Sequence, residues 1–171
     1  LVDGDNNEIS SLLKRWGVTR TYFTNHNTDL EKNIGPIASI IRFINVSKLL
    51  TTYEVPILVM DLDCVIFNPL GKIIEENSQS NIGSRILKPG VAPWEKYTGG
   101  FAIFYPGGAT QVVAENIRKI SLSQIREDLD QWWIDQNCFE AGIRYAIKSG
   151  IDLEISDLYS SRDKYLSLIH I

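Results

Sequence analysis

Sulfur, histidine, positive charge and long apolar runs are all scarce in this 171-residue chain. Lysine and arginine together number 17 against 21 acidic residues, giving a formal net charge of −4. A general nucleic-acid binder needs a basic face, so no nucleic-acid partner is expected. A phosphorylated small molecule stays open, because it requires only local positive charge. No apolar run approaches the roughly eighteen residues of a transmembrane helix, and no membrane span is expected. The two cysteines, Cys64 and Cys138, have neither metal-ligand spacing nor a disulfide framework, so a reduced, cytoplasmic setting is expected. No signal-peptide pattern, internal repeat or low-complexity segment is visible.

What is present suits one domain with a real core. The chain opens on Leu1 rather than Met, and it closes on Leu-Ser-Leu-Ile-His-Ile at 166–171. Codons for those six residues can be written as the adapter of transposase-made sequencing libraries. Residues 1–165 are therefore expected to form a single truncated domain, with 166–171 an artefact; the alternative is a short C-terminal strand. Setting the tail aside removes His170 and leaves His26, in the polar loop Asn25–Asp29.

Periodicity predicts alternating helices and strands. Ile9, Leu12, Leu13 and Trp16 share one helical face, with Gly17 as a stop, and Thr19–Thr24 reads as a strand. Pro36 suits the first turn of a helix whose buried stripe is Ile37, Ile40, Ile41 and Ile44. Ile57-Leu58-Val59-Met60 is an unbroken apolar run, as expected of a central strand covered on both faces. Phe101–Tyr105, entered through Gly99 and Gly100 and closed by Pro106, reads as a second strand. Helices are expected over Gly108–Ile120, with Val112, Val113, Ile117 and Ile120 inward, and over Trp132–Ile147, with Trp132, Phe139, Ile143 and Ile147 on one side. Ile151–Ile155 is a candidate last strand. The fold class expected is α/β, with a largely parallel or mixed sheet flanked by helices.

Asp61-Leu62-Asp63 follows the central run. Strand residues two apart point the same way, so both carboxylates are expected in the crevice beyond the strand's carboxyl end. Hard oxygen ligands suit Mg²⁺ or Mn²⁺, ions that keep further positions for water and substrate phosphates. Two bare carboxylates this close would repel, which favours a cation between them. A solvated turn capped by aspartate would carry the same residues.

Taken with its surroundings, the stretch from Arg42-Phe43 through Tyr53 to Ile66 resembles the metal-dependent, nucleotide-sugar glycosyltransferases of GT-A fold. Those enzymes place an arginine-bearing helix before a strand that ends in a DxD motif. Thr98-Gly99-Gly100-Phe101 is similar to their small-residue step into a strand lining the acceptor side. Trp133-Ile134-Asp135-Gln136 is similar to the Asp-Gln pair opening a helix beside the sugar. These pieces span residues 37 to 147.

The resemblance implies a GT-A-like, incomplete Rossmann-type fold and transfer of a sugar from a nucleotide-diphosphate donor to an acceptor hydroxyl. It implies Asp61 and Asp63 as ligands of Mn²⁺ or Mg²⁺ and of the donor. Arg42 would meet a phosphate, Gly99, Gly100 and Gln136 would contact substrate, and Asp135 would hold the sugar or act as the base. Trp132 and Trp133 would be available to stack on a sugar. Many members also use a histidine near the C-terminus as a metal ligand, and none remains here once 166–171 are set aside.

Two other readings compete. Met60 to Phe67 also resembles the nucleophile strand of haloacid-dehalogenase-like phosphatases, with Asp61 phosphorylated and Asp63 as acid/base. That strand usually opens its domain, however, and Ile151–Ile155 lacks the paired acidic form expected downstream. A non-catalytic binding module on a decayed transferase fold is the third reading.

Overall fold

The computed structural model describes residues 11, 34–61, 64–66, 69–87, 92–126, 133–158 and 166–168. The chain divides into two compact units, Leu1–Ile34 and Gly35–Ile171, and apart from residues 11 and 34 the description concerns the second. The helix and strand expected over residues 9–24 lie outside the described residues, save that Ser11 is helical. His26, Asp63 and Trp132 also lie outside them.

In chain order the elements are α1 (Ile34–Ile44), α2 (Val46–Tyr53), β1 (Ile57–Met60), β2 (Cys64–Ile66), α3 (Gly71–Glu76), β3 (Ile82–Ile86), α4 (Pro93–Lys96), β4 (Tyr97–Phe104), α5 (Gly108–Arg126), α6 (Ile134–Lys148), β5 (Ile155–Asp157) and β6 (Leu166–Leu168). The fold is mixed α/β: a four-stranded sheet in the order β1-β4-β3-β5, flanked by helices. β1 and β3 each pair antiparallel to β4, and β3 pairs parallel to β5. Leu166–Leu168 lies antiparallel to Cys64–Ile66 as a separate two-stranded ribbon. Among the described residues no helix is long and apolar enough to cross a membrane.

The sheet is mixed, one of the two forms expected, and β1 lies at the edge of the described sheet instead of its centre. The physical reason is that an unbroken apolar run reports cover on both faces, not strand direction. β4 has that cover. On one face Phe101, Ile103 and Tyr105 pack with Ile73 of α3 and Leu158, joined by the half-buried Leu58 and Met60 of β1. On the other, Phe104 meets Phe43 of α1 edge-on at 6.3 Å between centroids and Phe139 of α6 at 5.7 Å. Phe43 stacks on Phe139 at 5.6 Å, and Tyr97 approaches the same ring edge-on. All three phenylalanine rings are fully buried. Each such side chain removes enough apolar surface from water to stabilise the fold by about 2 kcal/mol or more.

The helices follow their apolar spacing with local exceptions. Ile40, Ile41 and Ile44 of α1 are buried as expected, and Pro36 falls in the first turn, where its missing N–H costs nothing. In α5, Val113 and Ile117 are buried, but Val112 is exposed and Ile120 only half-buried; in α6, Phe139 and Ile143 are buried while Ile147 is exposed. α5 and α6 approach closely at Gly142, where a Cβ would stand 2.3 Å from Ile117 Cγ1. β4 begins at Tyr97, earlier than the apolar run, and β5 begins at Ile155, where the expected last strand ends.

Candidate active site

The site is built where β1 ends. Asp61 N–H donates to the Gly100 carbonyl at 2.9 Å, which holds the aspartate beside the glycine pair of β4. Cys64 N–H donates back to the Asp61 carbonyl at 3.2 Å, and the Cys64 thiol lies 3.7 Å from the Gly100 carbonyl. Opposite, the pairing of β3 with β4 is irregular. Ser84 faces Ala102 but Ile86 faces Tyr97, so β4 carries more residues than β3 between those two pairs. Thr98, Gly99 and Gly100 occupy this bulge. Bulges re-aim backbone and side chains and are over-represented next to active sites. Ser84, fully buried, steadies the bulge by donating its hydroxyl to the Thr98 carbonyl at 3.2 Å.

Both glycines lie in close approach to the carboxylates of the site. A Cβ on Gly99 would stand 2.8 Å from Asp135 Oδ2 and 3.3 Å from an Arg42 amino nitrogen. A Cβ on Gly100 would stand 2.5 Å from Asp61 Oδ2.

Arg42 joins the cluster from α1. One guanidinium nitrogen is ion-paired with Asp61 Oδ1, and the other donates to Asp135 Oδ2 at 2.5 Å. The planar fork suits this bridging role, which a lysine could not reproduce. The side chains of Arg42, Asp61 and Asp135 are 20 %, 34 % and 9 % exposed, so the ion pairs grade from partly open at Asp61 to closed at Asp135. The Arg42 Nε is buried and has no acceptor among the described residues. The guanidinium also lies 5.2 Å from the Phe43 ring centroid, where the aromatic face attracts a cation.

Asp135 owes its place to the start of α6. Trp133 precedes the helix in the left-handed conformation, φ 71° and ψ 13°, which costs a non-glycine residue about 1–2 kcal/mol. The sharp turn leaves Asp135 in the helix's first turn, where the helix dipole favours a negative charge. The Trp133 side chain is 48 % exposed. Gln136 is half-buried in the same turn.

Five of the expected site residues therefore converge: Arg42, Asp61, Gly99, Gly100 and Asp135. Arg42 is held by two carboxylates, those of Asp61 and Asp135. Its presence also changes the expected electrostatics, because Asp61 has a cationic partner and is not left with only a like charge beside it. As for a metal, no group of three or more His, Cys, Asp or Glu side chains suited to holding an ion occurs among the described residues. The donor among the described residues is the hard carboxylate of Asp61, whose Oδ1 is engaged by Arg42. That fits Mg²⁺ or Mn²⁺ only in their common manner of binding through one or two carboxylates with the remaining positions filled by water and substrate phosphate.

Ser84 and the whole of β3 escaped the sequence reading. Gly83 and Ser84 interrupt the β-branched pattern that marks strands. The spacing of Ile82 and Ile86 around two small residues was the available signal. Comparison of the chain with family models, with curated proteins and with solved structures found no match.

Proposed function

We propose that this chain is a metal-dependent glycosyltransferase domain of GT-A-like fold that moves a sugar from a nucleotide-diphosphate donor to an acceptor hydroxyl. One observation carries the reading: Arg42, Asp61 and Asp135, distant in sequence, meet over a bulge made by Gly99 and Gly100. Transfer needs donor and acceptor groups held side by side, and the two glycines let the three charged side chains close over the strand at one place. Asp61 and Asp63 would hold the Mg²⁺ or Mn²⁺ ion. Such an ion, when bound, neutralises charge developing on the leaving diphosphate. Arg42 orients Asp61 and Asp135 and offers its fork to phosphate oxygens. Asp135 accepts hydrogen bonds from sugar hydroxyls. Through its second oxygen it is the candidate to take the acceptor's proton. Gln136 and the exposed indole of Trp133 extend the substrate side. A cytoplasmic setting belongs to the proposal, in keeping with a sequence of only two cysteines.

The phosphatase reading gains no support from the same geometry. Its nucleophile needs a lysine and further acids around it, and among the described residues the ion-pair partner of Asp61 is Arg42. The test is a thermal-shift panel of nucleoside diphosphates with and without Mn²⁺. A ligand at a hundred times its Kd stabilises the folded state by about 2.7 kcal/mol. The expected result is a shift for at least one nucleotide that needs Mn²⁺ and disappears in Asp61→Asn. No shift with any nucleotide, or trapping of a phosphoryl mimic on Asp61, would remove the transferase.

A further inference from the structure

Arg42 and a divalent cation make competing demands on one carboxylate. Arg42 already engages Asp61 Oδ1, and its other amino nitrogen is anchored on the buried Asp135. A bare cation approaching Asp61 meets a guanidinium at the same carboxylate and is repelled at short range. A cation that arrives with a diphosphate differs in two respects. The diphosphate cancels the excess positive charge, and its oxygens give the Arg42 fork an alternative acceptor.

Resting on the transferase reading above, we infer that Arg42 is a positioning residue that couples the two ligands: it suppresses binding of the metal alone and admits metal and nucleotide diphosphate together. Asp135 sets the strength of the coupling, because it anchors the far side of the fork. Linkage makes the effect reciprocal, so nucleotide tightens metal binding by the same factor that metal tightens nucleotide binding.

The experiment is Mn²⁺ binding followed by electron paramagnetic resonance, with and without a saturating nucleoside diphosphate, on the unsubstituted chain, Arg42→Gln and Arg42→Lys. In the unsubstituted chain the nucleotide is expected to tighten Mn²⁺ binding at least about tenfold, within the usual range of coupling between sites. In Arg42→Gln, Mn²⁺ alone is expected to bind more tightly than in the unsubstituted chain, and the nucleotide's enhancement to shrink several-fold. Arg42→Lys keeps the charge and is expected to keep the suppression of bare Mn²⁺. Weaker or unchanged binding of bare Mn²⁺ in a folded Arg42→Gln, with nucleotide coupling intact, would overturn the inference and leave the transferase reading standing. Absence of any Mn²⁺-dependent nucleotide binding in the unsubstituted chain would instead overturn that reading and this inference with it.

Should Arg42→Gln fail to fold, the unsubstituted chain decides through the Arg42 Nε–H resonance in arginine-labelled protein. Mg²⁺ with nucleotide is expected to shift it and Mg²⁺ alone to leave it in place; an equal shift with Mg²⁺ alone would overturn the coupling.

Discussion

The two ends of β4 are served by the same three elements and do opposite things. At the Phe104 end, α1 contributes Phe43, the strand Phe104 and α6 Phe139, and the rings close on one another without exposure. At the Gly99–Gly100 end the same elements contribute Arg42, two residues without side chains and Asp135. Arg42 precedes Phe43 in α1, and Asp135 lies one turn before Phe139 in α6. A single packing arrangement thus fixes both ends. The aromatic end supplies rigidity, and the charged end inherits a position it does not itself hold in place. Ion pairs near the surface contribute little to stability, whereas buried aromatic rings contribute a great deal. The division of labour between folding and binding follows from that difference.

Breaking the aromatic end should have the largest effect. Phe139→Ala is expected to lose about 3–5 kcal/mol of stability, because it leaves a cavity between two fully buried rings. Denaturant titration measures it, and nucleotide binding should fall in step as Asp135 loses its support. Gly142→Ala tests the helix packing behind both ends. Its Cβ would meet Ile117 at 2.3 Å, and overpacking of this kind costs about 1–3 kcal/mol.

A pH dependence arises from two titratable groups in the core, Cys138 on α6 and Tyr105 just after β4. Burial pushes the Cys138 thiol from 9.0 up to about 11 and the Tyr105 phenol from 10.0 up to about 12. Both groups are neutral when protonated, and both are raised on folding. Their contribution is therefore fully present below pH 9.0 and is lost progressively as pH rises to about 11 and then about 12. Cys138→Ala should flatten the first part of that alkaline loss, as read from denaturation midpoints between those values. Unchanged alkaline sensitivity in the variant would remove Cys138 as its source.

Gly99→Ala should have a modest effect on folding and a disproportionate one on binding. The added methyl group stands 2.8 Å from Asp135 Oδ2 and must push that carboxylate off Arg42. We expect a loss of about 1–3 kcal/mol in stability, because the carboxylate displaced is the buried one of the cluster and a methyl group enters a filled space. Nucleotide-dependent Mn²⁺ binding should weaken far more. A variant that binds as well as the unsubstituted chain would show that the glycine serves the bulge alone.

How much of this could be read from the residues differs between the two ends as well. The burial of Ile40, Ile41 and Ile44 and the strands over Ile57–Met60 and Phe101–Phe104 were legible, because apolar spacing records contact with a core. Strand direction was not, since two-sided cover produces the same run in either orientation. α2, α3 and β3 were missed because Thr51-Thr52, the short Gly71–Glu76 segment and Gly83-Ser84 carry weak local propensity, and tertiary packing decides them. In the cluster, Arg42, Asp61 and Asp135 were visible as residue types in suggestive order. That Arg42 clasps both acids, rather than standing free for a phosphate, depends on a register irregularity between β3 and β4 that no spacing along the chain encodes.

The most direct measurement of the division between folding and binding is the denaturation free energy of Asp61→Asn, alone and with Mn²⁺ plus nucleoside diphosphate. Asp61 is one-third exposed and its ion pair lies at the open side of the cluster. The variant is expected to stay within about 1 kcal/mol of the unsubstituted chain without ligand. It should gain nothing when Mn²⁺ and nucleotide are added, while the unsubstituted chain gains about 2.7 kcal/mol at a hundredfold excess over Kd. A loss of about 3 kcal/mol or more without ligand, comparable to emptying a core site, with the ligand-induced gain retained, would make Asp61 a folding residue and contradict the account.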